Sequence, residues 1–223
     1  MVRFALVGTS TPLIKAVECI RTLDGLCLPV LYTEMDRAGE VHRLCAESGI
    51  EIRDIALLAA PGAAAELSEV QPDWLLSISS PMILPPQVLQ VPRGGALNMH
   101  PGRLPDYAGM HAHEWAIRNG EQRFAATVHW METALDAGPI CYMEEFDVTS
   151  SDTGFTLLVK CLNAGSRALV RCLSDILDGR LPPRRRSKPG SPGAAWRPLP
   201  DYGVYQLILI ADLALPSNWQ LEK

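Results

Sequence analysis

The chain has 223 residues, 48% of them hydrophobic, and a formal net charge of -5. That length and composition suit one compact α/β domain with a sizeable core and a short tail. The acidic balance argues against a protein whose main partner is a nucleic-acid backbone, a task that needs clustered Lys and Arg.

In chain order, residues 3–7 read as a first β-strand, followed by the turn Gly8-Thr9-Ser10-Thr11-Pro12 and a helix over 13–23. Residues 27–32 read as the second strand. A helix over 39–48 carries Val41, Leu44 and Cys45 on one side, with Gly49 as its C-cap. Short apolar runs at 74–78 and 96–99 are the next strands, and 125–130 and 140–146 carry strand patterns of their own. A long amphipathic helix over 152–177 is opened by Ser151 or Asp152. Strands alternating with helices predict a Rossmann-like α/β fold, a mostly parallel twisted sheet with helices on both faces. Beyond Gly179 the composition changes to Leu-Pro-Pro-Arg-Arg-Arg and Lys-Pro-Gly-Ser-Pro-Gly. A catalytic domain over 1–180 is therefore expected, followed by a Pro/Arg-rich linker and a short C-terminal arm over 181–223.

The first turn lacks the second and third glycines of a dinucleotide fingerprint, so a tight strand-to-helix turn is the better reading. Glu34 and Asp36 follow the second strand, but without those glycines they do not make a dehydrogenase. Arg184-Arg185-Arg186 reads as a solvated loop. Cysteines 19, 27, 45, 141, 161 and 172 form no C-x-x-C pair and read as free thiols in a reducing compartment. The N-terminal apolar run is too short for a secretory signal. The run at 204–215 is broken by Gln206 and Asp212 and falls short of the ~20 residues of a membrane span. A cytoplasmic protein with no membrane partner is expected. Trp196, Tyr202, Tyr205 and Trp219 give residues 187–223 three readings: an arm packed on the domain, a homodimer contact, or a remnant of a longer region. Aromatic residues usually find apolar partners, which favours the packed arm.

The chemistry is concentrated in Asn98-Met99-His100-Pro101-Gly102-Arg103-Leu104-Pro105-Asp106-Tyr107-Ala108-Gly109. Side chains at i and i+2 of a strand point the same way, so Asn98 and His100 share a face while Met99 packs on the other. Pro101 ends the ladder at once. A carboxamide and an imidazole then stand together at a strand's carboxyl end, where ligands of open α/β sheets bind. A second constellation, Thr127 to Ile140, reads as strand, acidic loop and strand. Asp136, followed by Gly138-Pro139, either caps a turn or, placed near His100, orients the imidazole and accepts a proton.

Together these stretches resemble the 10-formyltetrahydrofolate-dependent formyltransferase family. The ordered set runs through Gly8-Thr9, Met82-Ile83-Leu84-Pro85, Asn98-x-His100-Pro101-x-x-Leu104-Pro105-x-Tyr107-x-Gly109, Asn119-Gly120-Glu121, Val128-His129-x-Met131 and Asp136-x-Gly138-x-Ile140. The resemblance implies that Asn98, His100 and Asp136 are catalytic. It also implies that the pteridine ring of 10-formyltetrahydrofolate, the co-substrate, is held by backbone of Met82, Ile83 and Leu84 and of Glu132, Thr133, Ala134, Leu135 and Asp136. The chemistry suits these residue types. An amine attacks the formyl carbon, Asn98 and a protonated His100 donate to the oxyanion, and Asp136 stabilises the imidazolium and helps take the amine's proton.

Gly102-Arg103 and Asp106 depart from the commoner family pattern, and Arg103 reads as a surface charge. His111, His113 and Glu114 invite a metal reading, but H-x-H at the start of a helix without a third ligand is a weak site. A structural or acceptor-pocket role is expected for them, and no metal. The resemblance leaves the acceptor open. Members that formylate initiator tRNA carry a further C-terminal domain, members acting on glycinamide ribonucleotide carry a glycine-rich first loop, and hydrolases of formyltetrahydrofolate usually carry an N-terminal regulatory domain. The expected acceptor is thus a small-molecule amine, either an amino sugar on a nucleotide or an amino acid such as hydroxyornithine feeding secondary metabolism. A formyltetrahydrofolate hydrolase and a non-catalytic folate-binding module are the alternatives.

Overall fold

The computed structural model describes residues 1–9, 11–35 and 39–182. The Arg184 cluster, the arm from 187 onward and Asp36 lie outside these residues. Among the described residues, seven strands form one sheet: β1 (Val2–Gly8), β2 (Leu26–Thr33), β3 (Glu51–Asp54), β4 (Trp74–Ile78), β5 (Gly95–His100), β6 (Arg123–Trp130) and β7 (Ile140–Asp147). Their spatial order is β3-β2-β1-β4-β5-β6-β7. The first five are parallel, and β6 and β7 close the far edge antiparallel. The helices are α1 (Thr11–Thr22), α2 (Gly39–Ser48), α3 (Ala63–Glu69), α4 (Pro86–Leu89), α5 (Ala112–Arg118) and α6 (Gly154–Leu177), with a 3-10 turn at Ile55–Leu58.

Period-two alternation along β1 explains why both faces are covered. Phe4 and Leu6 join one apolar cluster with Leu13, Val17 and Ile20 of α1 and Leu169, Cys172 and Leu173 of α6. Ala5 and Val7 join a second cluster with Ala63 and Leu67 of α3 and Val88 of α4. A strand buried on both faces reads as a near-continuous apolar run, which is why β1 and β4 are plain in the sequence. The edge strand β3, Glu-Ile-Arg-Asp, has no such run, and α3 is short and alanine-rich; the sequence reading has neither.

α6 starts two residues later than expected, at Gly154. Thr153 is its N-cap, in a capping box with Thr156, while Asp152 binds the Thr149 amide, Thr156 Oγ1 and Lys160 Nζ. Near the middle of α6, Gly165 allows the helix to lie against β5: a Cβ there would stand 2.5 Å from Met99 Sδ. At the end of β1, a Cβ on Gly8 would stand 1.8 Å from the carbonyl oxygen of Ile78 on β4. The glycine of the first turn is thus required by close strand packing. Among the described residues, no helix is long and apolar enough to cross a membrane.

Candidate active site

Alternation sends Leu97 and Met99 of β5 into the first cluster, so Asn98 and His100 share the opposite face. β6 runs antiparallel beside them with His129 directly across from Asn98. The β6–β7 loop then returns over the end of β5 and carries Asp136, whose φ of 50° lies in the left-handed region that Asp tolerates better than most residues. Asp136 Oδ2 accepts from the Gly109 backbone N–H at 2.9 Å and lies 3.5 Å from His100 Nδ1. Asp136 Oδ1 lies 3.5 Å from His129 Nε2 and 3.4 Å from Asn98 Nδ2, and that amide nitrogen also meets His129 Nε2 at 3.1 Å. The three side chains picked out in the sequence converge, and His129 joins them. The sequence gives it no role of its own; the signal that points to it is a histidine in the largely apolar run 124–130, where it is 2% exposed.

The acceptors decide where the hydrogens sit. His100 Nε2 lies 2.7 Å from the Tyr107 carbonyl, and His129 Nδ1 lies 2.8 Å from the Trp130 carbonyl. Carbonyl oxygens only accept, so both of these nitrogens carry hydrogens. The two remaining ring nitrogens, His100 Nδ1 and His129 Nε2, face Asp136. An extra proton in this cluster therefore lies between one carboxylate and two imidazoles. The sequence reading makes His100 a charged donor to an oxyanion, whereas here its Nε2–H is committed to Tyr107. Burial, the largest influence on His100, also pushes its pKa below the usual histidine value despite the neighbouring Asp136. Positive charge arises on this ring when a proton reaches Nδ1.

The backbone around His100 is tightly specified. Thr127 on β6, fully buried, donates to the Gly102 carbonyl at 2.7 Å and accepts from the Leu104 N–H at 3.3 Å. A Cβ on Gly102 would stand 2.6 Å from His100 Nε2 and 2.7 Å from the Ala112 Cβ. The glycine is what lets the loop pass the imidazole. Arg103, expected at the surface, is instead partly buried and donates to Glu121 Oε1 at 3.1 Å and to the Arg123 carbonyl at 3.2 Å.

The segments implied for the pteridine follow β4, the strand paired with β5, and β6. Ser80 Oγ donates to the Met82 carbonyl at 3.0 Å and so shapes the turn after β4. Leu84 is buried, Met82 and Met131 pack against the same apolar cluster, and Ile83 stands 66% exposed. Glu132 and Leu135 are half-buried, while Thr133 and Ala134 are exposed on the loop that ends at Asp136. His111 caps α5 with a φ of 61°, its ring 6.5 Å from that of His113. Glu114 lies against Gly154 of α6, where a Cβ would stand 2.1 Å from its Oε1. Among the described residues, no group of three or more His, Cys, Asp or Glu side chains is arranged to hold a metal ion.

Buried charge makes this region sensitive to acid. Burial, the largest single influence on Asp136, works to raise its carboxyl, but the His129 hydrogen bond, the charges of His100 and His129 and the Gly109 N–H outweigh it and hold the pKa at about 2. Burial, with His111 and His100 adding to it, pushes His113 down to about 4. Both folded values lie below the unfolded ones, so their stabilisation is present at neutral pH and lost on acidification: His113 between about 6.5 and 4, Asp136 between about 4 and 2. The first of these windows corresponds to roughly 3 kcal/mol and the second to about 2 kcal/mol. The melting temperature is expected to fall as pH drops from 6.5 to 4, and His113→Gln to flatten that slope. Thermal melts across this range check it; a His113→Gln variant with the parental slope would show the assignment to be wrong.

A family model described as formyl transferase matches residues 32–173, which span β2 to α6 and include the whole Asn98, His100, His129 and Asp136 cluster. The chain belongs to the formyl transferase family. A methionyl-tRNA formyltransferase of Pseudomonas savastanoi pv. phaseolicola is 31% identical over 186 residues, covering 79% of this chain and 59% of that protein. The chain spans about half to three fifths of the length of the curated relatives it matches. Among solved structures, glycinamide ribonucleotide transformylase 1 of Symbiobacterium toebii superposes with a TM-score of 0.74 at 21% identity, covering 83% of this chain and 92% of that one. A formyltetrahydrofolate deformylase of Pseudomonas syringae pv. tomato superposes with a TM-score of 0.73 at 19% identity, covering 83% and 64%. These two likenesses establish the shared fold.

Proposed function

We propose that this protein transfers a formyl group from 10-formyltetrahydrofolate to the amine of a small molecule. The observation that carries the reading is the meeting of Asn98, His100 and Asp136 at the carboxyl end of β5, beside the Met82–Leu84 and 132–136 segments. Exposed Ile83 with half-buried Met82 offers an apolar surface to a flat heteroaromatic ring, and the adjoining backbone offers donors and acceptors to its edge.

The residues divide the reaction as follows. As the amine nitrogen attacks the formyl carbon, the carbonyl oxygen becomes an oxyanion. Asn98 Nδ2 donates to it by giving up its long 3.4 Å approach to Asp136 Oδ1, which is the weaker of its two internal contacts. The amine's proton passes to the Asp136–His100 pair, directly or through water, and lodges at His100 Nδ1, where the imidazolium's charge opposes that of the oxyanion. The tetrahedral intermediate collapses with cleavage of the bond to folate N10, and the proton leaves with that nitrogen. His129, anchored at Trp130 through Nδ1–H, accepts at Nε2 from the Asn98 amide and so holds that amide in place.

The net charge of -5 supports a small acceptor over a polyanion. An aminoacyl-tRNA acceptor is the second reading, favoured by the name of the relative at 31% identity. Incubating the protein with 10-formyltetrahydrofolate and amino sugar nucleotides, hydroxyornithine, glycinamide ribonucleotide or methionyl-tRNA separates them, following tetrahydrofolate release and product mass. Formylation of a small amine is the expected result. Formylation of methionyl-tRNA alone would establish the second reading, release without any amine a hydrolase, and no release with any acceptor a binding module.

A further inference from the structure

The Tyr107 carbonyl decides the tautomer of His100, so whatever holds that carbonyl reaches the chemistry. Tyr107 is 4% exposed, and its ring packs edge-on against Phe124 with centroids 5.0 Å apart. Its hydroxyl donates to Glu121 Oε1 at 2.6 Å and accepts from Asn119 Nδ2 at 2.9 Å. The same Glu121 oxygen accepts from Arg103 Nη2 at 3.1 Å, and the Tyr107 N–H closes the turn on the Arg103 carbonyl at 2.9 Å. Both ends of the 103–107 loop are therefore tied to one carboxylate just after α5. Burial pushes the Tyr107 hydroxyl pKa up, keeping it a neutral donor.

We propose that Glu121 and the Tyr107 hydroxyl are positioning residues for His100, fixing the loop whose carbonyl dictates which ring nitrogen receives the proton. The inference rests on the transferase reading above for its catalytic consequence, but not for its structural one. With Nε2–H held by Tyr107, Nδ1 is left facing Asp136. Without the anchor the carbonyl drifts, the ring samples both tautomers, and the proton is placed on the wrong side part of the time. Asn119 and Glu121, absorbed above only as part of a sequence pattern, thereby acquire a task.

The test uses protein labelled with 15N-histidine, read by long-range 1H–15N spectra in the absence of substrate, with His100 assigned by the signals lost in His100→Gln. Wild type is expected to show the Nε2–H pattern. In Tyr107→Phe, which keeps the ring on Phe124, and in Glu121→Ala, the two ring nitrogens should move toward averaged shifts. Glu121→Gln, whose amide oxygen still accepts from Tyr107, should keep the wild-type pattern. In the transfer assay, kcat should fall about ten- to a hundredfold in Tyr107→Phe and Glu121→Ala with KM nearly unchanged, the scale expected of a small misplacement of a reacting group. Wild-type spectra in both variants would overturn the inference, as would a Glu121→Gln variant that behaves like Glu121→Ala. A wild-type protein that transfers no formyl group refutes the functional reading, while the spectra still decide this one.

Discussion

Asn98→Ala, His100→Ala and Asp136→Ala are each expected to abolish turnover while leaving the fold in place. Loss of an oxyanion donor costs about 10²–10³ in rate, and loss of the proton-handling pair about 10²–10⁴. The three side chains touch one another, so their effects should not add: a double variant of His100 and Asp136 should lose little more than either single one. Stability should respond differently. Asp136→Ala leaves the Gly109 N–H without its acceptor, a cost of roughly 1–3 kcal/mol. His100→Ala leaves the Tyr107 carbonyl unpaired and opens a void behind Gly102. Single-turnover assays with a saturating donor, paired with thermal melts, separate the two effects. Near-parental activity in all three variants would sink the mechanism.

Gly138→Ala is expected to be nearly as damaging, although residue 138 performs no chemistry. A Cβ at this position would stand 1.8 Å from the Trp130 carbonyl oxygen and 2.8 Å from its carbon. The Trp130 N–H donates to the Pro139 carbonyl at 2.9 Å, so the loop is stitched shut at that point. Backbone on both sides of the clash leaves no flexible side chain to yield, and the loop must lift. Asp136, two residues earlier and already at positive φ, moves with it away from Asn98, His100 and His129. Overpacking of this kind costs about 1–3 kcal/mol, and a displacement near 1 Å at a reacting group costs roughly a hundredfold in rate. Gly39→Ala is the control, because a Cβ there has nothing within 4 Å. It should melt and turn over like the parent; a Gly138→Ala protein that does the same would show that the loop adapts.

Much of the fold is legible in the chain because the signals are local. β1 and β4 are largely apolar runs, β5 opens on one at 95–97, α2 matches its expected bounds, and Gly49 takes the left-handed φ of 66° that its place as a C-cap requires. Where the signal is weak the reading is silent or shifted. β3 and α3 have little apolar periodicity, and three residues able to cap stand together at the start of α6, so that only the capping box distinguishes Thr153. The same holds at the site. Asn98-x-His100 before Pro101 is readable as a strand end carrying two polar groups on one face, since that follows from period two.

What the chain by itself determined is therefore the layered sheet, the face on which Asn98 and His100 stand, and, through an ordered set of motifs, the family. What only the tertiary structure decided is which atoms meet. Asp136 lies 38 positions from Asn98, His129 is placed by antiparallel register, and the hydrogens of His100 and His129 are set by the carbonyls of Tyr107 and Trp130. Periodicity encodes the direction of a side chain. Its hydrogen-bond partner, and hence where its proton rests, depends on a loop closing over it from elsewhere in the chain.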